Sequence, residues 1–553
     1  MPNKPHARSS RQAPTASSSN PLREETQLVM AVATLLVTAS LVFCGRQNLL
    51  LLYGDAVAHL HIARRVFDSL NPGFRQLGSV WLPLPHLLLV PFVQRTVWWQ
   101  SGVGGAVPSM VSYVLACAGL YRLARRWMRP AVAALVFFAF ALNPGLLYMS
   151  VTAMTEPLFL ALMIWSVVHL TAFESAVRRA DANVARAALW KLTIVLVAAV
   201  FTRYDGWVLG TLSWLMVAYW TVRHRWWRQT ANARVLVICT LLLAAAPLAW
   251  LGYNWHIYGD PLDFLRGPYS AKAIAARTAR PGSAPYPGWH HLWVAFFYYV
   301  KSAKMGVAPL RCGRWLMVMT VAGTVYALWR YRSRTVPASV LFWIPIPFYA
   351  YSVAYGSVPI FIPVWFPHSF YNTRYGMELL PAFALFPAFV VCVLVHKWPG
   401  WHRAAISFAA ILIVASNFFL LRATPLVLQE AKANSATRIP FERAMAEKLI
   451  LLPPQSTLLM YTSAHVGALQ QIGFPLRQTI NEGDYQLWQS ALDNPAKAAN
   501  FIVAIEGDPV DQAVRKHPEN LELLYLICST GQPCARIYRS AEHVPDATIS
   551  HGV

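Results

Sequence analysis

Seven of the eleven carboxylates before residue 424 stand at the ends of apolar runs: Asp55, Asp68, Glu156, Asp205, Asp260, Asp263 and Glu378. A charge at such a depth is costly and needs a reason. Four short motifs frame the ones that could do chemistry. In YGDAVAHLHIARR (53–65), Asp55 and His59 lie four apart on one helix edge, a spacing that lets both reach a common ligand or metal ion. Asp55 would serve equally well as a helix cap. In NPGLLYMSVTAMTEP (143–157), Glu156 is the only charge, and it would also suit a helix start before Pro157. TRYDGW (202–207) offers Arg203 and Asp205, which could equally pair with each other. In WFPHSFYNTRYGMELLP (365–381), Arg374 is the only Arg or Lys between Arg334 and Lys397, and it is flanked by Tyr371 and Tyr375. A guanidinium in such a place suits a phosphate, gripped through two nitrogens; the plain alternative is snorkelling to the membrane interface.

The elements that must position these residues follow from composition. With 56% hydrophobic and 13% charged residues over 553 positions, the chain reads as a polytopic membrane protein. Its excess of basic residues then marks cytoplasmic loops and lipid headgroup contacts, and nucleic-acid binding is set aside. Residues 1–27 read as a disordered cytoplasmic tail and 28–45 as an uncleaved anchor helix. Basic clusters at Arg122–Arg129, Arg178–Lys191, Arg223–Arg234, Arg330–Arg334 and Lys397–Arg403 mark the cytoplasmic side. Between them fit about eleven helices, near 28–45, 103–121, 130–147, 157–172, 190–203, 206–222, 234–253, 314–329, 336–356, 376–396 and 402–421. Segments 81–99 and 291–300 could span or lie at the interface. On this topology the seven carboxylates share the outer side. Residues 55–70 form an interfacial amphipathic helix, with Ala56, Leu60, Ala63, Phe67 and Leu70 on its apolar face and His61, Arg64, Arg65 and Asp68 towards headgroups.

After residue 423 the composition changes: thirteen of the chain's 24 acids fall in 424–553. The expected architecture is an all-α membrane part over 28–423, with an outer loop near 254–311, followed by a small extracytoplasmic α/β domain over 424–553. STLLMYT (456–462), FIVAIE (501–506) and LELLYLIC (521–528) read as buried strands. Cys528 and Cys534 could pair or stay as thiols.

An outer acid at the end of the first membrane helix, an interfacial helix after it and a second acid in the next outer turn resemble the GT-C superfamily of glycosyltransferases. The layout is most similar to the branch of protein O-mannosyltransferases and aminoarabinose transferases. GDAVAH (54–59), WLPLPH (81–86), NP with TEP (143–157), TRYDGW (202–207) and YNTRYGMELLP (371–381) carry the likeness over roughly 28–421. Asp55-Ala56 stands where the mannosyltransferases have Asp-Glu, and the second acid is Glu where they have Asp. The resemblance implies a GT-C fold and transfer of a sugar from a polyprenyl-phosphate donor to a lipid, glycan or protein acceptor on the outer face. Such a reaction needs a carboxylate to take the acceptor proton and a cation at the leaving phosphate. Asp55 and Glu156 are the catalytic candidates, and Arg374, Tyr375 and Arg64 the candidates for the donor phosphate. His59, Arg203, Asp205, Asp260, Tyr269 and His368 are candidates for substrate contact, and Asp55, Glu156 and His59 could hold a divalent metal ion. Asp260 and Tyr269 fall in YGDPLDFLRGPYSAKA (258–273), a loop expected to cover the site.

A transporter or lipid flippase is the rival reading, because acids among membrane helices also mark ion pathways. Transporters place them near the midplane on interrupted helices in related halves, whereas here they sit at helix ends and no internal repeat is visible. A scaffold displaying the C-terminal domain leaves the acids unexplained. Compact loops and an Arg-rich composition point to a bacterial inner membrane.

Overall fold

Proline punctuates this chain at helix starts, where its missing N–H costs nothing. Pro83, Pro130, Pro144, Pro157 and Pro345 all lie in the first turn of a helix. The computed structural model describes residues 21–278, 282, 284–331 and 336–542. Among the described residues, eight helices are long and apolar enough to cross a membrane: Pro21–Arg46, Val103–Ala124, Glu156–Arg178, Ala182–Val200, Thr230–Tyr258, Val336–Tyr355, Thr373–Lys397 and His402–Ser435. The expected spans 206–222 and 314–329 are also helical, as Asp205–Arg223 and Leu310–Arg330. The protein is a mostly helical membrane protein with a small C-terminal sheet.

Several expectations need correction. Residues 21–27, expected in the disordered tail, belong to the first helix, where Glu25 pairs with Arg125 at 2.7 Å and accepts from the Tyr121 hydroxyl at 3.0 Å. Residues 1–20 and the basic Arg332 and Arg334 lie outside the described residues. The run 130–147 is not one helix. It breaks between Pro130–Ala141 and Pro144–Met149, where the Asn143 side chain caps the second piece by accepting from the Leu146 N–H at 2.9 Å. Segment 81–99 folds as Pro83–Val93 and part of Thr96–Ser101. Eleven helical residues rise only about 16 Å, too short to cross a bilayer alone. Segment 291–300 opens the helix Leu292–Val307, which is not among the eight.

The helix Gly54–Arg65 is amphipathic, but its polar face does not meet headgroups. His61, Arg64, Arg65 and Asp68 are buried, while Phe67 and Leu70 of the apolar set are exposed. Protein covers the polar face. Arg64 donates to the carbonyls of Val93 and Gln94 at 2.7 and 2.9 Å, Arg65 reaches Asn481 at 3.3 Å, and Asp68 accepts from the Arg477 N–H at 3.3 Å.

The five strands are β1 (Leu458–Met460), β2 (Thr479–Ile480), β3 (Phe501–Ile505), β4 (Leu521–Ile527) and β5 (Ala535–Ser540), in the order β2-β1-β3-β5-β4. β1 runs parallel to β2 and β3, and β5 antiparallel to β3 and β4. Leu459, Ile502 and Ala504 pack on Val510 and Val514. β4 was expected to be buried, yet it is the edge strand, and Glu522, Leu523 and Leu526 are exposed. A disulfide joins Cys528 and Cys534 across the β4–β5 connection. The compositional break near 424 is not a packing break. Val427, Ala431 and Phe441 share one core with Tyr53 and Tyr148, and the Tyr53 hydroxyl donates to the Val427 carbonyl at 2.8 Å.

Close helix packing rests on small residues. A Cβ on Gly119 would stand 2.9 Å from the Ile164 side chain and 3.0 Å from that of Trp165 on the neighbouring helix. Gly119→Leu is therefore expected to destabilise the fold by about 1–3 kcal/mol, read as a lower thermal midpoint of the purified protein; an unchanged midpoint would show that these helices separate freely.

Candidate active site

Glu156, the first residue of its helix, is 1% exposed at the side chain and is shared by two arginines. Its Oε1 accepts from Arg374 Nε at 3.1 Å and from Arg203 Nη1 at 3.4 Å. The other nitrogens of Arg374 reach Asp55 Oδ2 at 2.5 Å and Glu430 Oε1 at 3.3 Å. Arg203 reaches Asp205 Oδ2 and Glu378 Oε1, both at 3.3 Å, and donates to the Tyr349 hydroxyl at 2.6 Å. Tyr349 in turn lies 2.6 Å from Glu378 and 3.1 Å from Asp205. Two guanidinium groups thus sit among five carboxylates. Aromatic rings fill the remaining faces: Tyr375 lies 5.0 Å from the Arg374 guanidinium and 5.2 Å from that of Arg203, and Tyr53 lies 5.4 Å from Arg374.

Local backbone chemistry sets Arg374 in place. Asn372 takes a left-handed conformation (φ 54°), which Asn tolerates, and a 3-10 turn Thr373–Leu379 follows. Glu430 pins that turn by accepting from the Asn372 and Thr373 N–H groups, both at 2.8 Å, and from the Thr373 hydroxyl. Gly376 lets the turn approach the helix Leu292–Val307, because a Cβ there would stand 2.6 Å from the Ala303 backbone nitrogen.

A cavity of about 1710 Å³ opens on this centre. Asp55, Arg374 and Tyr375 face it from the membrane part, Tyr269 from the 258–273 loop, and Glu482 and Trp488 from the C-terminal part. The Asp55 side chain is 40% exposed, whereas those of Glu156, Asp205, Glu378 and Glu430 are 0–2% exposed. Among the five carboxylates, Asp55 is the one that an incoming molecule can touch.

Of the residues singled out in the sequence, the structure brings together Asp55, Glu156, Arg203, Asp205, Arg374 and Tyr375, with Tyr269 across the cavity. The others stand apart. Arg64, a phosphate candidate, is held by Asp68 at 2.8 Å and by two carbonyls. Asp260 caps the Leu262 N–H at 2.9 Å and lies 3.9 Å from Arg266; it does not line the cavity. His368 is exposed and does not line it either, with Nδ1 3.1 Å from the Pro363 carbonyl. His59 turns away from Asp55. Its Nδ1 lies 2.8 Å from His86 Nε2, and its ring sits 4.4 Å from that of Trp81. The set Asp55, Glu156 and His59 therefore does not fit a divalent ion, since Arg374 occupies the space between the carboxylates. Among the described residues no group of three or more His, Cys, Asp or Glu side chains has metal-binding geometry.

Three contributors were not anticipated. Glu378 was noted only as an outer acid. Glu430 fell in the soluble part by composition, although Leu426, Val427, Glu430 and Ala431 share one helical face, a carboxylate on an apolar stripe. Tyr349 carries no charge that would mark it.

No family model and no curated protein matches this chain in sequence. Solved structures do match. ArnT from Cupriavidus metallidurans bound to undecaprenyl phosphate aligns with a TM-score of 0.54 at 14% identity, over 92% of this chain and 97% of that one. The apo state of the same protein aligns with a TM-score of 0.50 at 14% identity, over 95% and 99%. The apo oligosaccharyltransferase of Archaeoglobus fulgidus aligns with a TM-score of 0.43 at 11% identity, over 87% and 69%. The likeness to ArnT runs through nearly the whole of both chains, and the fold is GT-C-like.

The buried histidines beside the centre make stability depend on pH. Burial, with Arg374 and Arg203 nearby, pushes His59 down to about 3, and burial with Arg65 pushes His61 well below the usual imidazole range. Both stay neutral in the folded protein but take up protons near pH 6.5 when it unfolds. Their contribution is complete above about pH 6.5 and falls as pH drops towards 3, by about 1.4 kcal/mol per pH unit for each neutral histidine. The thermal midpoint is expected to fall between pH 7.5 and 5, with a shallower slope in His59→Gln/His61→Gln; equal slopes would place the acid sensitivity elsewhere.

Proposed function

We propose that this protein is a membrane glycosyltransferase that moves a sugar from a polyprenyl-phosphate-linked donor to an acceptor on the outer face of a bacterial plasma membrane. The observation that carries the reading is the contrast within the acid cluster. Four carboxylates are buried as counter-ions, and Asp55 alone opens onto a cavity large enough for two substrates. The undecaprenyl phosphate held by ArnT supports a carrier of the same chemistry here.

In this reading Asp55 accepts the acceptor proton as the sugar leaves its phosphate. Asp55 Oδ2 also holds Arg374 Nη2, so protonation weakens that ion pair as charge grows on the departing phosphate. The released guanidinium edge turns to the phosphate, while Glu156 and Glu430 keep the rest of the group in place. Tyr269 belongs to the wall that contacts substrate. Arg203, Asp205, Glu378 and Tyr349 position Glu156 and Tyr375. A transmembrane part over 28–423 supplies the reacting groups and an extracytoplasmic part over 424–553 lends Glu430. Sidedness follows from charge: Glu156 begins the helix that ends at Arg178, and basic ends stay cytoplasmic.

The test is transfer from a radiolabelled pool of polyprenyl-phosphate sugars to membrane acceptors. Asp55→Asn is expected to lower the rate at least about 100-fold with the thermal midpoint nearly unchanged. Glu430→Gln is expected to lower the midpoint as well, by about 3 kcal/mol of stability. Undiminished transfer by Asp55→Asn would reduce Asp55 to a helix cap and end this assignment.

A further inference from the structure

A second cavity, of about 860 Å³, lies at the opposite end of the helices that carry the acid centre. Glu156 opens the helix whose last turn reaches this cavity at Arg178, roughly 33 Å away along the axis. Arg122, Arg125, Arg126, Arg178 and Arg179 face it from the ends of two helices, and Lys191 faces it from the middle of a third, Ala182–Val200. Two of these are neutralised: Glu25 holds Arg125 and Glu174 holds Arg178, both at 2.7 Å. The other four have no carboxylate within ion-pair distance among the described residues. Arg126 donates to the Ser175 hydroxyl at 3.1 Å, and the Arg122 guanidinium lies 6.0 Å from the Trp165 ring.

Cations at a membrane surface ordinarily spread outwards into the headgroup layer. These converge on a hollow, where their mutual repulsion is unfavourable unless an anion lies between them. Among these cations part of the wall is apolar, along Trp165, Val168, Ala172 and Ala188, with His169 between them. Cations beside a greasy wall complement an amphiphile whose head is a phosphate. The basic residues Arg223, Arg225, Arg228 and Arg234 line neither this cavity nor the larger one.

We propose that this cavity binds the phosphate of an anionic phospholipid in the leaflet opposite the acid centre. Arg122, Arg126, Arg179 and Lys191 surround the headgroup, and an acyl chain runs along the wall from Trp165 to Ala172. Guanidinium groups suit phosphate oxygens through paired hydrogen bonds, and four unneutralised charges favour a head carrying two phosphates. The site is independent of the transfer reaction proposed above.

The experiment measures the thermal midpoint of the full-length protein in a neutral detergent with added diphosphatidylglycerol, phosphatidylcholine or inorganic phosphate. Diphosphatidylglycerol is expected to raise the midpoint saturably, and the other two to leave it unchanged. In Arg126→Gln/Arg179→Gln the half-saturating lipid concentration is expected to rise about 20-fold, from the loss of two headgroup contacts. Arg223→Gln/Arg228→Gln, with the same loss of charge away from the cavity, keeps the wild-type response. Lys191→Gln, a single exposed position, gives the same reading if the double variant does not fold. A response equal in all variants would mean generic charge attraction, and a rise with inorganic phosphate alone would mean a soluble-anion site. Either result, or no response at all, overturns the proposal.

Discussion

Two buried guanidinium groups that must find carboxylate partners govern this structure. Removing a charge from water costs several kcal/mol even after relaxation, and the loss returns only where geometry is good and every N–H is used. Arg374 and Arg203 meet it in part, through the single oxygen of Glu156 that both address, while Glu156 Oε2 and Glu378 Oε2 are buried with no hydrogen-bond partner among the described residues. The partners come from the helix Gly54–Arg65, the turns near 156 and 203, the 3-10 turn at 373–379 and the helix Leu426–Ser435. No two of these segments can be shifted independently without stranding a charge. The breaks in the helices at 142–156, 201–204 and 372–379 are the places where the backbone turns to deliver a charged side chain to the network.

The network also divides rigid from responsive parts. Glu156, Asp205, Glu378 and Glu430 are screened from solvent, and their hold on the arginines is strong in a medium of low polarisability. Asp55 stands at the edge, held by one arginine nitrogen and open to the cavity on its other side. A proton arriving from the cavity meets Asp55 first. The change in charge is then felt most directly by Arg374, whose Nη2 holds Asp55, while Glu156 lies between Arg374 and Arg203. Preorganised groups behind one responsive group are what charge stabilisation during bond transfer requires.

Charged residues isolated in apolar sequence were legible, because a charge at that depth is costly and needs a partner. Glu156, Arg374 and Asp205 were found in this way, and all three lie in the centre. What covers a polar face was not legible. The spacing of His61, Arg64, Arg65 and Asp68 identified a stripe, but nothing local told lipid headgroups from the carbonyls of Val93 and Gln94 or the side chain of Asn481. Glu430 was lost for a related reason, since an average over many residues assigned it to the soluble part while its four-residue apolar stripe pointed inwards. The metal reading failed because ligand types can be counted in a sequence, whereas an arginine lodged between two of them cannot be seen there.

The contacts that escaped the sequence are those that tie the C-terminal part to the helix that carries Asp55. Arg438 donates to the carbonyls of Leu51 and Leu52 at 2.9 and 3.1 Å, just ahead of the helix that begins at Gly54 and carries Asp55. At the far end of that helix Arg65 reaches Asn481, and beyond it Gln470 donates to the Trp99 carbonyl at 2.6 Å. The helix is held at both ends by the polypeptide that also supplies Glu482 and Trp488 to the cavity wall. A displacement of the C-terminal part therefore moves Asp55 and the wall together, and through Glu430 it moves the turn bearing Arg374 as well. The C-terminal wall of the cavity and the Asp55–Arg374 ion pair are thus joined by one continuous set of contacts.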